Sequence, residues 1–162
     1  MRGRYRARRL ALQGLCCLDV QGEKAMDQAQ SFLTDSHETP ETIRAADALM
    51  RETWADRDVC DALVARHSRH WELGRLAMVD RNVLRLAVHE IRTGRTPFKV
   101  AIAEAIKLVG EFSTADSPRF VNGILDAVGK SLGADAGGDG HGPAGGAGRP
   151  RRRGRPPGPG GD

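Results

Sequence analysis

Aromatic residues are scarce in this chain, at 4% of its 162 positions, so any core it builds is aliphatic and alanine-rich. Its three cysteines are Cys16 and Cys17, which are adjacent, and Cys60, which stands alone. An odd number without metal spacing argues against a disulfide framework or a zinc site and fits a reducing compartment. No apolar run approaches the roughly 18 residues of a membrane span, and the first residues are too charged for a secretory signal. A soluble, cytoplasmic protein is expected. Strand alternation bounded by turn residues is missing. So is a catalytic constellation: there is no glycine-rich phosphate loop between strand and helix and no helix with paired metal-binding histidines. His67 and His70 are three apart but have no evident third ligand. Asp80, Glu90, Glu104 and Glu111 fall on amphipathic helices and read most simply as a solvated face. Neither enzymatic activity nor a cofactor is expected.

What the chain does have is helical periodicity and clustered arginine. Ala7, Leu10, Ala11, Gly14, Leu15 and Leu18 share one face of a first helix from Arg2 to about Val20, closed by Gln21-Gly22. A second runs from about Lys24 to Leu33, a third from Glu41 to Trp54, and a fourth from Asp56 or Asp58 to near His70-Trp71. Gly74 marks a boundary. Val79, Val83, Leu86, Ala87 and Ile91 form a fifth helix that stops at Gly94, and Val100 to Phe112 a sixth. A seventh opens at Asp116-Ser117-Pro118, where Asp116 or Ser117 suits the N-cap and Pro118 the first turn; Val121, Ile124, Leu125, Val128 and Leu132 make its apolar stripe. The fold class is all-α, with about seven helices and short connections that favour antiparallel neighbours in bundles. From Gly133 onward glycine and proline dominate, and a disordered tail is expected over 133–162.

The net charge of +4 hides its arrangement. Arg2, Arg4, Arg6, Arg8 and Arg9 crowd one end, and Arg149, Arg151, Arg152, Arg153 and Arg155 the other, a clustering that a polyanionic partner relieves. Arginines on a helix face contact phosphates, which supply affinity without sequence choice. Base selection in single-stranded RNA calls for stacking planes and amide hydrogen bonds. Gln13 offers an amide on the first helix, and Phe120 and Asn122 a ring and an amide on the last. With the two helix heads side by side, Arg4, Arg6, Arg8, Gln13, Arg119 and Phe120 would form one RNA-binding surface. The purely structural alternative makes Phe120 a core staple, Asn122 a cap on a buried backbone group, and Gly123 a site of close helix approach.

Three blocks carry a resemblance. They are Arg6-Ala7-Arg8-Arg9-Leu10-Ala11-Leu12-Gln13-Gly14-Leu15; Val79-Asp80-Arg81-Asn82-Val83-Leu84-Arg85-Leu86-Ala87-Val88-His89-Glu90-Ile91 with Pro97 and Val100-Ala101-Ile102-Ala103-Glu104-Ala105; and Arg119-Phe120-Val121-Asn122-Gly123-Ile124-Leu125-Asp126. In order and spacing the chain resembles the NusB family of bacterial transcription antitermination factors over about Arg2 to Leu132. The resemblance implies two packed helical bundles, about 1–73 and about 74–132, an RNA-binding role and no catalysis. It implies binding of boxA-type single-stranded RNA from ribosomal-operon leaders together with NusE, a small-subunit ribosomal protein, and loading onto the RNA polymerase antitermination complex. By matching positions, Arg4, Arg6, Arg8 and Gln13 would contact RNA, with Asp116, Arg119 and Phe120 at or beside that surface. The helix bearing Asp80, Leu84 and Arg85 would face NusE. Family members occur as monomers and as dimers, which leaves a homodimer open.

The chain departs from the family pattern at Cys16, where a tyrosine is common, and at His89, where an aromatic is frequent. The tail, with an Arg-Gly-Arg-Pro core at 153–156 similar to an AT-hook, lies outside the pattern. Two other readings are a detached RNA-targeting domain, similar to the N-terminal region of a ribosomal RNA cytosine methyltransferase, and a helical adaptor that binds protein alone.

Overall fold

The structure, a computed structural model, describes residues 2–68 and 76–133. His70, Trp71 and Gly74, and the tail with its arginine cluster, lie outside the described residues. Within them are seven α-helices: α1 (Arg2–Gln21), α2 (Met26–Thr34), α3 (Pro40–Ala55), α4 (Arg57–His67), α5 (Met78–Thr93), α6 (Phe98–Phe112) and α7 (Ser117–Ser131), with a 3-10 turn at Glu23–Ala25 before α2. No strand occurs among the described residues. None of these helices is long and apolar enough to cross a membrane.

Local chemistry places most of the ends. Gly22 leaves α1 at φ +81°, and Gly94 ends α5 in the left-handed region at φ +69°, where a side chain would be strained. Thr39 caps α3 by accepting the Thr42 N–H at 3.2 Å, with Pro40 in the first turn. The head of α7 differs from the sequence expectation. Pro118 sits in the first turn, but Asp116 makes no side-chain cap bond. The Ser117 hydroxyl instead donates to the buried carboxylate of Asp80 at 2.9 Å.

Helices α1, α2 and α3 pack together, and α5, α6 and α7 form a second group. Helix α4, assigned with the first three by the boundary near Gly74, packs mainly on α5 and α7. One contiguous core runs through both groups, from Leu12, Leu15 and Met50 to Val83, Leu108 and Leu125. Helix α5 is its axis: every residue from Asn82 to Ile91 is buried. A helix covered all round is usually apolar all round. This one also buries Asn82, Arg85, His89 and Glu90, together with Asp80 near its start, so the solvated face expected for Asp80 and Glu90 is an interior polar network.

The glycines that let helices approach are Gly14 and Gly129. A Cβ on Gly14 would overlap the Met50 side chain, and one on Gly129 the Phe98 ring, whereas a Cβ on Gly123 meets nothing within 4 Å among the described residues. Gly123 therefore does not serve close packing. Gly14→Ala is expected to lower the melting temperature, because overpacking against fully buried Met50 costs about 1–3 kcal/mol and the helix-propensity gain is about 1 kcal/mol. Gly123→Ala should raise it. Thermal melts of the two variants check both signs.

Candidate nucleic-acid interface

Each α-helical residue turns by 100°, so Arg4 and Arg6, two apart, point to opposite sides of α1. One stripe of the helix stays at the surface: Arg6 and Arg9 are exposed, and Tyr5, Gln13, Cys16 and Cys17 half-buried. Arg9 and Gln13 are one turn apart on it. Arg6 pairs with Glu38 at 3.4 Å, and Arg9 pairs with Glu111 at 3.3 Å while lying 5.3 Å above the Phe112 ring. Lys107 sits 4.2 Å above the Tyr5 ring, and the Tyr5 hydroxyl donates to Glu111. Burial, then Glu111, pushes that phenol up to about 12. Exposed pairs of this kind contribute little and are screened by salt, so a phosphate can draw these cations away from their carboxylates.

Arg8 corrects a sequence expectation. It is 7% exposed, its Nε is 3.1 Å from both Glu90 oxygens, and Nη2 donates to Thr96 at 3.2 Å. Such a side chain joins α1 to α5 and presents nothing to a backbone phosphate on the outer stripe. Beside Arg6, the arginine exposed there is Arg9, which the sequence reading passed over as a contact. The signal was available: Arg9 stands four residues before Gln13, whereas Arg8 shares its face with Leu12 and Leu15. Arg4 is exposed on the far side of the helix, where with Arg8, Thr42, Arg95 and Thr96 it lines a cavity of about 440 Å³.

At the head of α7, Asp116 and Arg119 are exposed. Phe120 is half-buried and packs against the core. With Leu76, Ala77, Asp80, Asp116 and Ser117 it lines a cavity of about 290 Å³. Asn122 is exposed, which excludes its capping a buried group. Helix α7 packs on α6, α5 and α4, and α1 is not among its main partners, so the two heads do not lie directly side by side. Two short bridges connect them. Arg9 reaches Phe112, four residues before Asp116, and Cys16 receives an N–H from Asn82 at 3.9 Å, in the same turn of α5 as Asp80. Burial pushes the Cys16 thiol up to about 11, so it presents a neutral sulfur where the family commonly has a phenol.

Asp80, Leu84 and Arg85, expected on a partner-facing surface, are interior. Leu84 has no exposed area and Arg85 is 8% exposed. Arg85 donates to Asp61 from Nε at 2.7 Å and Nη2 at 2.8 Å, and its Nη1 is 3.4 Å from Asp19. Asp19 also accepts from Arg81 and Asn82. Burial would raise its carboxyl, but those hydrogen bonds outweigh it and hold the group below the usual carboxylate range. His89 is likewise inside, with Nδ1 2.8 Å from Asp56. The buried polar side chains of α5 each meet a partner of complementary charge or hydrogen bonding outside the helix, while His89 Nε2 makes no hydrogen bond among the described residues and lies 3.5 Å from Glu52. Among the described residues no group of His, Cys, Asp and Glu is arranged to hold a metal ion.

Known proteins share this sequence pattern and fold. The NusB family model matches residues 5–130. The transcription antitermination protein NusB of Symbiobacterium thermophilum is 41% identical over 145 residues, covering 84% of this chain and 95% of that protein. Its counterpart in Solibacter usitatus is 40% identical over 134 residues, covering 82% and 92%. Among solved structures, T. maritima NusB superposes with a TM-score of 0.70 at 32% identity, covering 80% of this chain and 91% of that one. A chain in the crystal structure of antitermination factors NusB and NusE with dsRNA gives 0.72 at 25% identity, covering 81% and 98%. The helix order, the stripe on α1 and the Arg-Phe-Val-Asn-Gly head of α7 thus sit within a match that spans the described helices, and the chain belongs to the NusB family.

Proposed function

We propose that this chain is a transcription antitermination factor that binds boxA-type leader RNA of ribosomal RNA operons together with NusE, acts on RNA polymerase in the cytoplasm, and catalyses no reaction itself. The likeness to the NusB chain of the NusB–NusE–dsRNA complex carries the reading. Exposed Arg6 and Arg9 with half-buried Gln13 on α1, and exposed Asp116 and Arg119 with half-buried Phe120 at the head of α7, support it: they supply cations, an amide and a ring, and Arg9 reaches Phe112, four residues before Asp116. Arg6, Arg9 and Arg119 bind phosphates, and Gln13 and Phe120 meet bases. Arg4 meets backbone only where RNA wraps past the start of α1. Arg8, Asp80, Leu84 and Arg85 act from within, holding the helices whose outer surfaces meet RNA and NusE. The matched NusB proteins are covered over 91–96% of their length, and this favours the antitermination reading over an RNA-targeting domain of a methyltransferase.

The test is a titration of boxA and scrambled RNA with the NusE complex at several salt concentrations. Tighter binding to boxA is expected, and equal affinities would sink the sequence-specific reading. Arg9→Ala should weaken both RNAs and flatten the slope of log K against log salt by about 0.7, the loss of one phosphate on a single strand. An unchanged slope removes Arg9 from the interface.

A further inference from the structure

The first turn of α5 carries three consecutive polar residues that reach in two directions. Toward α1, Arg81 places Nε 2.9 Å and Nη2 2.5 Å from Asp19 Oδ2, and Asn82 Nδ2 donates to the same oxygen at 3.1 Å. Toward the corner between α6 and α7, Asp80 accepts from Ser113 on Oδ1 at 2.7 Å and from Ser117 on Oδ2 at 2.9 Å. The two serine hydroxyls are 2.9 Å apart, and Thr114 Oγ1 is 3.0 Å from Ser117 Oγ. Asp80 is 7% exposed, and no cation pairs with it among the described residues.

A buried carboxylate without a counter-ion is costly. Here hydroxyl donors on both oxygens and the positive end of α5 offset that cost. An apolar side chain would fill the site without the penalty, so stability alone does not call for a carboxylate. What an apolar residue cannot do is hold two hydroxyls four residues apart, one before and one inside the first turn of α7. Those hydroxyls bracket Asp116 and precede Arg119 and Phe120.

We propose that Asp80 is a positioning residue for RNA binding: by gripping Ser113 and Ser117 it sets Asp116, Arg119 and Phe120 in register with Arg9 and Gln13 of α1. The inference rests on the RNA-binding reading above. Asp80 touches no RNA; it acts through the corner. Its neighbours Arg81 and Asn82 fix the same turn of α5 to α1, so the two halves of the RNA surface are referred to one rigid point.

The experiment uses the full chain with NusE and three variants, Asp80→Ala, Asp80→Asn and Ser117→Ala. Asp80→Ala is expected to cut the affinity ratio of boxA to scrambled RNA about tenfold, equivalent to about 1.4 kcal/mol, with an unchanged salt slope because no phosphate contact is lost. Asp80→Asn should recover part of the ratio, since Oδ1 still accepts from Ser113 while Nδ2 can donate to the Ser117 oxygen. Should Asp80→Ala fail to fold, the near-isosteric Asn and Ser117→Ala variants carry the same comparison, and each is expected to lower the ratio. An intact ratio accompanied only by a lower melting temperature overturns the proposal. Hydrogen exchange on the chain without RNA supplies an independent arm: amides of 113–120 should exchange faster in the variants while those of 9–16 do not, and unchanged exchange at 113–120 overturns it. If the unmodified protein shows no preference for boxA, the functional reading fails and the exchange arm still decides the role of Asp80.

Discussion

Replacing Glu90 with alanine is expected to lower the unfolding free energy by about 3–5 kcal/mol, because it strands a buried cation. Arg8 and Glu90 are 8% and 4% exposed at their side chains, and Arg8 Nε lies 3.1 Å from both carboxylate oxygens. Without Glu90, Arg8 keeps only the Thr96 hydroxyl and the carboxylate of Glu104 at 3.9 Å from Nη1. That separation is too long for a good hydrogen bond. Against a typical domain stability of about 5–15 kcal/mol the loss is large, and a urea melt will show it as a lower midpoint. Arg8→Met combined with Glu90→Leu removes both charges and should recover most of the loss. A single-variant loss under about 1 kcal/mol would mean that Arg8 swings out to water when its partner is removed. Any RNA-binding defect of Arg8 variants should accordingly track unfolding, and it should vanish at temperatures where the variant is still folded.

The same pair marks where sequence reading stops. Periodicity located all seven helices, because apolar spacing of three and four residues is set by the helix itself and needs no partner. Their ends followed where the chemistry is local, as at Gly94 and Pro118. The polar stripe of α5 did not: its sequence reads as surface, Asp80 and Glu90 as a solvated face and Arg85 as facing a partner. Whether such a stripe meets water depends on Asp61, Asp56 and Arg8, which lie 24, 33 and 82 residues away along the chain. No window of sequence contains that information. Asp116 makes no side-chain cap bond because its backbone, at φ −86° and ψ −15°, is already helical rather than in the extended region an N-cap takes.

On the RNA side, the stripe on α1 could have been drawn more sharply. Helical spacing alone, at 100° per residue, separates Arg4 and Arg8 from Arg6, Arg9 and Gln13. The resemblance to the NusB family pointed to α1 and α7 but could not say which arginine of the Arg8-Arg9 pair faces out. Gly123 shows the converse. Its place in the Arg-Phe-Val-Asn-Gly block reads as a packing requirement, yet the structure gives it open space and assigns close approach to Gly14 and Gly129.

Leu84→Ala offers the cleanest separation between a contact residue and a core residue. Leu84 has no solvent-exposed surface and belongs to the cluster at the centre of the fold. Truncating a buried leucine loses the transfer free energy of its methyl groups and leaves a cavity that a helix fixed on all sides cannot close, for a total of about 2–5 kcal/mol. Calorimetric melting should therefore show a much lower transition temperature. A titration with NusE well below that temperature should return the unmodified affinity within about twofold, because a side chain that never reaches the surface makes no contact to lose. The reverse pattern, weakened NusE binding with an unshifted melt, would place Leu84 at the interface and require α5 to turn outward in the complex. The two results are exclusive because a leucine cannot both fill the core and cover the partner, so one variant measured in two ways decides between them.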